Sequence, residues 1–177
     1  MCPVAKFLVS RKQRLLRRWS VGAAAISVVP DDDSGHLIVG DYDGNIGVWD
    51  PDKGARVAQL SAHTGPVWSV AVSASNGVIA SGGADCSVGV WDLSTGVLRT
   101  RLLGHEDVLN RIFFTSNGLL VSGAVDGTIR IWQPCDWRCI AVIRAPRPYE
   151  NMDLRGALGL NDREILNLSR LGALVAD

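Results

Sequence analysis

The sequence contains no apolar run that approaches the roughly 20 residues of a membrane-spanning helix. It has no net charge, with 18 Lys and Arg against 18 Asp and Glu, so the basic excess typical of nucleic-acid binding is missing. Its four cysteines are too few and too irregularly spaced for a disulfide scaffold. We therefore expect a cytoplasmic protein that binds neither membrane nor nucleic acid.

Motifs for cofactors and metals are missing as well. The sequence has no phosphate-binding loop. Cys135 and Cys139 lack the further ligands of a zinc site, and residues 41–45 begin like a calcium loop without its later Gly and Glu. We therefore predict no cofactor and no metal, and we interpret the acidic run 31–33 as a solvated turn.

Three segments of the sequence repeat one pattern. Each contains four short runs rich in β-branched residues, separated by turns with Gly, Asn or Asp, and such runs predict strands rather than helices. The third run of each segment ends on a tryptophan, and these tryptophans recur at intervals of about 40 residues. The pairs that mark the repeat, the last of them degenerate, are Trp49-Asp50, Trp91-Asp92 and Trp132-Gln133.

By these pairs and this interval the sequence resembles the WD-repeat family, in which each repeat forms a four-stranded propeller blade. The resemblance implies an all-β fold of three four-stranded blades, in which the strands of each blade are labelled a to d in chain order. The sequence after the last blade also predicts a short C-terminal helix. Propellers typically have about 4–8 blades, so three do not close a ring. We therefore expect a piece of a longer propeller, a truncated remnant without independent function, or a subunit that completes a propeller by self-association.

The chain is expected to divide into a leader, a repeat region and a tail. The leader, residues 1–14, is basic and matches no blade, so we expect it to be disordered. The tail, residues 146–177, comprises a linker and a helix. The repeat region, residues 15–145, consists of a remnant of strand d (15–21) and three blades (22–60, 61–102 and 103–145).

The tail carries two signals. Asn161 and Glu164 have the spacing of a capping box, which predicts a helix that ends near Gly172. The stretch from Arg147 onward also resembles the tail that closes the WD-repeat region of large bacterial, cyanobacterial-type signalling proteins, in which an NTPase domain precedes the propeller. The resemblance implies that the chain is the C-terminal part of such a protein. Without a phosphate loop, no NTPase activity can be carried over to this chain.

The WD-repeat resemblance also implies a buried network in each blade, formed by a His after strand d, a Ser or Thr in strand b, an Asp in the b–c turn and the Trp of strand c. The first segment departs from it, with Gly40 where the Ser would lie, and we expect its blade to be the least stable. A Ser–His–Asp set could also indicate a hydrolase, but its recurrence beside a Trp favours a structural role and no catalytic residue. The sequence matches the network twice, with His63, Ser81, Asp85 and Trp91, and with His105, Ser122, Asp126 and Trp132.

The resemblance finally implies a partner-binding rim where the d–a and b–c loops converge. Trp68 and Tyr42 are the main candidates because aromatic anchors dominate interface energies, although Trp68 fits a packing role between blades equally well. We predict a non-enzymatic scaffold or sensor module that binds a protein partner. The rim candidates are Tyr42, Thr64, Pro66, Trp68, Val108 and Asn110.

Overall fold

The structure of the protein is a computed structural model that describes residues 4–7, 17–20, 22–144, 146, 152–154 and 161–174. The chain divides into two compact units, Met1–Ile143 and Arg144–Asp177, which are described separately below. Most of the predicted leader and linker, and residues 15, 16 and 21 of the predicted strand remnant, lie outside the described residues.

A two-stranded antiparallel sheet precedes the repeats. Strand β1 (Val4–Phe7) pairs with β2 (Arg17–Ser20), with Val4 opposite Ser20 and Phe7 opposite Arg17. The leader was expected to be disordered, and the structure differs at residues 4–7. Strand pairing satisfies the backbone donors and acceptors on the facing edges of the two segments. No local turn signal or repeat in the sequence indicates that pairing.

Three four-stranded antiparallel sheets follow, each a meander of consecutive strands, and the predicted all-β fold of three blades is confirmed. Blade 1 contains β3 (Ala25–Asp31), β4 (His36–Asp41), β5 (Asn45–Asp50) and β6 (Ala55–Ser61). Blade 2 contains β7 (Val67–Ser73), β8 (Val78–Gly83), β9 (Val88–Asp92) and β10 (Leu98–Leu102). Blade 3 contains β11 (Leu109–Phe114), β12 (Leu120–Ala124), β13 (Thr128–Trp132) and β14 (Cys139–Arg144).

The b–c turns explain part of the repeat pattern. Each turn has a residue with a left-handed backbone: Gly44 at φ 89°, Cys86 at φ 62° and Gly127 at φ 77°. Glycine adopts this conformation without steric cost, which is why two of the three turns carry it, whereas Cys86 bears a side chain there.

Apolar side chains are buried between adjacent blades. Because side chains alternate across a strand, each sheet directs one set of residues toward the preceding blade and the other set toward the following blade. Between blades 1 and 2 lie Ile38, Ile46, Ala62, Val67, Val70, Ile79 and Trp91. Between blades 2 and 3 lie Ala71, Val78, Ala80, Val88, Val90, Leu102, Leu109, Ile112, Leu120 and Trp132.

A serine in strand a also links each of the first two blades to the next. The Val70 backbone N–H donates to Ser27 Oγ at 3.1 Å, and the Ile112 N–H donates to Ser69 Oγ at 3.1 Å. The corresponding residue of blade 3 is Arg111, which is exposed. These hydrogen bonds hold the first strands of the three blades side by side.

The second unit contains helix α1 (Asp162–Arg170), and the predicted short C-terminal helix is confirmed. The Asn161 side chain accepts from the Glu164 N–H at 3.0 Å, and Glu164 Oε2 accepts from the Asn161 N–H at 2.9 Å, which forms the capping box. The helix ends at Arg170, and Gly172, whose φ is 104°, follows the C-cap residue Leu171. No helix among the described residues is both long and apolar enough to cross a membrane.

Candidate functional site

The four predicted network residues of blade 2 lie within hydrogen-bond distance of one another. His63 Nδ1 is 2.8 Å from Asp85 Oδ1, and His63 Nε2 is 2.8 Å from Ser81 Oγ. The Trp91 indole N–H donates to the same Ser81 Oγ at 3.0 Å. Because the carboxylate can only accept, the proton of the neutral ring lies on Nδ1, and the serine hydroxyl donates to Nε2.

Blade 3 repeats this arrangement. His105 Nε2 is 2.7 Å from Ser122 Oγ, which accepts from the Trp132 N–H at 2.8 Å. His105 Nδ1 is 3.2 Å from Asp126 Oδ2. The same donor and acceptor roles therefore apply in both blades, and every polar group of the two networks has a partner.

A hydroxyl group that sequence reasoning missed completes each network. Ser87 Oγ donates to Asp85 Oδ1 at 2.8 Å, and Thr128 Oγ1 donates to Asp126 Oδ1 at 2.7 Å. Their backbone N–H groups donate to the same carboxylate oxygens. The signal was available in the sequence, since both hydroxyl residues stand two positions after the turn aspartate.

Arginines cover the outer ends of both networks, and they come from different strands. In blade 2, Arg101 of strand d lies 3.3 Å from Asp85 Oδ2 and donates to the Ala62 carbonyl at 2.7 Å. In blade 3, Arg130 of strand c donates to the Gly104 carbonyl at 2.6 Å. The repeat interval does not predict this difference, because the two arginines do not occupy equivalent positions.

Neither network serine is available to a substrate. Ser81 and Ser122 are each 0% exposed, and the indole N–H of the adjacent tryptophan occupies the hydroxyl oxygen of each. The Ser–His–Asp connectivity is that of a hydrolase triad, but a nucleophile needs open space beside Oγ for the reacting carbonyl. This geometry supports packing and rigidity rather than nucleophilic attack.

The environment keeps both histidines neutral. Burial lowers the pKa of His63 and of His105 below the ordinary 6.5, because a protonated ring would lose its hydration. The facing carboxylates of Asp85 and Asp126 act in the opposite direction and do not outweigh burial.

The two network carboxylates remain ionised. Burial raises the pKa of Asp126, but hydrogen bonds from the Glu106 N–H and from Thr128 outweigh it and bring the pKa to about 2. Burial likewise raises the pKa of Asp85, and the donors Ser87 and His63 lower it further than burial raises it. An ionised aspartate facing a neutral histidine is therefore the resting state of both networks.

Blade 1 departs from this pattern, and the expectation that Gly40 occupies its serine position is wrong by one residue. Leu37 pairs with Trp49 as Ile79 pairs with Trp91, so the residue at the serine position is Val39, not Gly40. Val39 is buried and has no hydroxyl to join a histidine to the indole.

The turn of blade 1 is also organised differently. Asp43, at the position of the network aspartate, is exposed, and it is Asp41 Oδ1 that accepts the Asn45 N–H at 2.7 Å. Residues 41–45 use their carboxylate to close a hairpin turn. Among the described residues, no group of three or more His, Cys, Asp or Glu side chains is placed to hold a metal ion.

The predicted rim residues lie where d–a loops meet b–c turns. The Ala84 N–H donates to the Pro66 carbonyl at 3.0 Å, and the Val125 N–H donates to the Val108 carbonyl at 2.9 Å. Tyr42 is 58% and Trp68 41% exposed. Of the remaining candidates, Thr64 and Asn110 are exposed, and Pro66 and Val108 are half-buried.

Rim segments of neighbouring blades are joined. The Gly44 carbonyl, in the b–c turn of blade 1, accepts from the N–H groups of Ala62 and His63 at 2.9 Å each. The turn that carries Tyr42 is thereby fixed next to the loop that carries Thr64. The rim of blades 1 and 2 is thus one continuous surface.

At the opposite ends of the strands, the prediction of a solvated acidic turn is wrong for one residue. Asp32 and Asp33 are exposed, but Asp31 is only 5% exposed. Strand β3 extends through Asp31, which pairs with His36, and this pairing directs the carboxylate inward.

Three consecutive four-stranded meanders pack face to face, and the second and third repeat one buried hydrogen-bond network. These features define the protein as one of β-propeller type. Residues 16–50, 54–92 and 96–133 match the model of the WD domain, G-beta repeat (WD40), and these stretches cover well over half of the sequence. The chain belongs to the WD40 repeat family. No curated protein matches it by sequence.

Comparison with solved structures agrees on the fold. A solved structure of U3-55K superimposes with a TM-score of 0.67 at 15% sequence identity, covering 80% of this chain and 42% of that chain. The chain therefore spans less than half of that protein. At this identity the likeness extends to the fold alone, and a fold used by 1272 matching chains does not select a function.

Proposed function

We propose that this protein is a non-enzymatic interaction module that binds a protein partner at its rim. The observation that carries the proposal is the pair of exposed aromatic side chains, Tyr42 at 58% in the b–c turn of blade 1 and Trp68 at 41% in strand β7, both on segments held by backbone hydrogen bonds. Large apolar side chains on a rigid surface favour binding because little conformational entropy is lost when they are covered. The buried networks supply that rigidity, and their two serines, Ser81 and Ser122, are inaccessible to a substrate.

Replacing these aromatic residues is expected to weaken partner binding without unfolding the protein. We expect Trp68→Ala and Tyr42→Ala each to lower the affinity for a partner by roughly 10- to 30-fold, as for interface anchors. The partner is first identified by mass spectrometry of proteins retained by the immobilised wild-type chain. The affinity of the purified pair is then measured by calorimetry.

Val57→Ala is the matched control, because Val57 is 58% exposed on strand β6 away from the rim. Equal retention of every partner by wild type and Trp68→Ala would contradict the rim assignment. A loss of several kcal/mol of stability in Trp68→Ala would instead assign Trp68 to packing between blades.

We further propose that another blade covers the free face of blade 3. Ile129 is 44% exposed, whereas the equivalent residue of blade 2, Val88, is buried at 0%. Phe113 is 46% exposed, whereas its equivalent, Ala71, is 6% exposed. An apolar face of this kind favours a covering partner. The remaining blades of a longer WD-repeat protein are our first candidate, and a second copy of the chain is the alternative.

The isolated 177-residue chain is accordingly expected to associate in solution. In sedimentation velocity we expect species heavier than the 19.0 kDa monomer, and Ile129→Lys is expected to shift the population toward monomer. Val57→Lys, which adds the same charge elsewhere, serves as the control. A discrete dimer favours self-association, and a broad distribution favours a longer native chain. A monodisperse monomer with cooperative unfolding is the outcome that contradicts a covered face.

The biological setting follows from the tail. We propose a C-terminal part of a large, cytoplasmic, bacterial WD-repeat signalling protein, supported by the resemblance of residues 147–177 to the closing segment of such proteins. The gene sequence upstream tests this directly. An in-frame continuation with further blades and a nucleotide-binding domain is expected, and a shifted frame with stop codons would instead indicate a remnant without independent function.

A further inference from the structure

Asp31 is a buried residue, and only one of its two carboxylate oxygens has a hydrogen-bond partner among the described residues. The residue is 5% exposed, and its Oδ2 accepts from the exposed Ser34 hydroxyl at 2.5 Å. Its Oδ1 is inaccessible and has no hydrogen-bond partner among the described residues. Burial of a polar atom without a partner costs free energy, and this cost is larger for a charged group.

In blades 2 and 3 the equivalent residue carries a hydroxyl group that makes a hydrogen bond within its own hairpin. The strand pairing gives Ser73 and Thr115 as the residues equivalent to Asp31. Ser73 Oγ accepts from the Asn76 N–H at 3.3 Å, and Thr115 Oγ1 donates to the Leu119 carbonyl at 3.2 Å. A hydroxyl therefore suffices to close this hairpin, and the carboxylate of blade 1 is not required for the turn.

Asp31 lies on the wall of a cavity of about 440 Å³ between blades 1 and 2, at the ends of the strands opposite the rim. The first strand pair of blade 1 contributes Asp31, Asp33 and His36, and blade 2 contributes Asp92 and Arg99. Arg99 Nη2 is 2.6 Å from Asp92 Oδ2, so this pair is internally neutral. Asp31 and Asp33 leave the cavity with an excess of negative charge.

The rest of the wall is apolar and includes Ile38, Val48 and Leu93. A cavity with a carboxylate at one point and aliphatic side chains around it matches a long side chain with a cationic end. No set of three or more potential metal ligands is grouped among the described residues, which disfavours a compact metal ion.

We propose that this cavity binds a lysine or arginine side chain of a protein partner. The aliphatic stem packs against Ile38, Val48 and Leu93, and the cationic head pairs with Asp31. The exposed Ser34 hydroxyl can rotate away and release Asp31 Oδ2, the oxygen to which it donates, to the incoming N–H groups. This site is separate from the rim, and the two can be occupied together.

Histidine signals provide the test. The sequence contains three histidines, and His36 lines the cavity while His63 and His105 belong to the networks near the rim. The chain is labelled with 15N at histidine and titrated with argininamide and lysinamide at one pH and low salt. Citrullinamide, which has the shape of argininamide without its charge, is the control ligand.

We expect argininamide or lysinamide to shift the His36 signal saturably, with His63 and His105 unchanged and no shift from citrullinamide. Asp31→Asn and Asp31→Ser are expected to weaken that affinity by at least about tenfold, since a charge-assisted hydrogen bond is lost. Both variants remove a buried charge, and serine is the residue that blade 2 uses at this position, so both are expected to fold. Asp33→Asn, which changes an exposed acidic residue that lines the same cavity, is expected to lower this affinity less than either Asp31 variant does.

The proposal is overturned if the Asp31 variants bind argininamide as wild type does, or if Asp33→Asn loses as much affinity as they do. It is also overturned if citrullinamide shifts His36 equally, or if calcium shifts it at lower concentration than argininamide. A second variant keeps the test independent of Asp31. Ser94→Arg brings a basic side chain to the cavity wall, and its failure to block argininamide would equally reject the site.

Discussion

Trp132→Ala is expected to lower the free energy of unfolding by about 3–5 kcal/mol, the usual cost of truncating a buried tryptophan. Trp132 is 3% exposed, packs between blades 2 and 3, and donates its indole N–H to Ser122. Single domains are stable by only about 5–15 kcal/mol, so this loss removes much of the stability of the blade array. Urea denaturation followed by circular dichroism measures it.

Two further variants separate packing from hydrogen bonding. Trp132→Phe keeps an aromatic ring and loses the N–H donor, so we expect a smaller loss of about 1–3 kcal/mol. Trp68→Ala is the control, because it makes the same replacement at an exposed tryptophan, and it is expected to change the free energy of unfolding little. If Trp132→Ala cost no more than Trp68→Ala, the inter-blade core would not depend on Trp132.

His105→Ala is expected to destabilise blade 3 by roughly 1–3 kcal/mol. The substitution leaves Ser122 and Asp126 without their shared partner in a site where water has little access. His36→Ala removes a half-buried histidine outside the networks and is the matched control. An unchanged thermal transition in His105→Ala would show that the network contributes nothing to stability.

The stability of wild type and of His105→Ala is also expected to depend differently on pH. In the folded protein the pKa of His63 and of His105 lies below 6.5, so between 6.5 and these lowered values the unfolded chain binds protons that the folded chain excludes. Wild-type stability is therefore expected to be full above pH 6.5 and to fall as the pH decreases below it. His105→Ala should show a shallower decline, since one of the two buried histidines is gone. Asp126 adds a separate loss only below its ordinary value of 3.8, because its folded pKa is about 2.

Local features of the sequence were sufficient to predict the blades. Alternating β-branched runs, turn residues and tryptophans at a fixed interval are short-range properties, and they recur in each segment. The resemblance to the WD-repeat family, and not the interval itself, implied the histidine, serine, aspartate and tryptophan that lie within hydrogen-bond distance in blades 2 and 3. The capping box of α1 is equally local, since Asn161 and Glu164 interact across one turn.

The register of the strands could not be predicted from these local features. A shift of one residue moves a side chain to the opposite face of a sheet, and only the pairing of Leu37 with Trp49 shows that Val39 occupies the serine position of blade 1. The pairing of β1 with β2 was also missed, because neither segment belongs to a repeat and the sequence between them carries no turn signal.

The sequence by itself determined the number of blades and the order of their strands, because each depends on residue types at short, fixed spacings. Its resemblance to the WD-repeat family implied the members of the two buried networks. Only the tertiary structure decided which of these side chains are covered. The sequence does not distinguish Asp31 from its exposed neighbours Asp32 and Asp33, and Asp31 is buried because its pairing with His36 directs its carboxylate inward, toward blade 2. Ile129 and Val88 occupy equivalent positions, and they differ in exposure because a following blade covers one of them in this chain and not the other. Burial depends on what packs against a residue from elsewhere in the chain, and the local pattern does not contain that information.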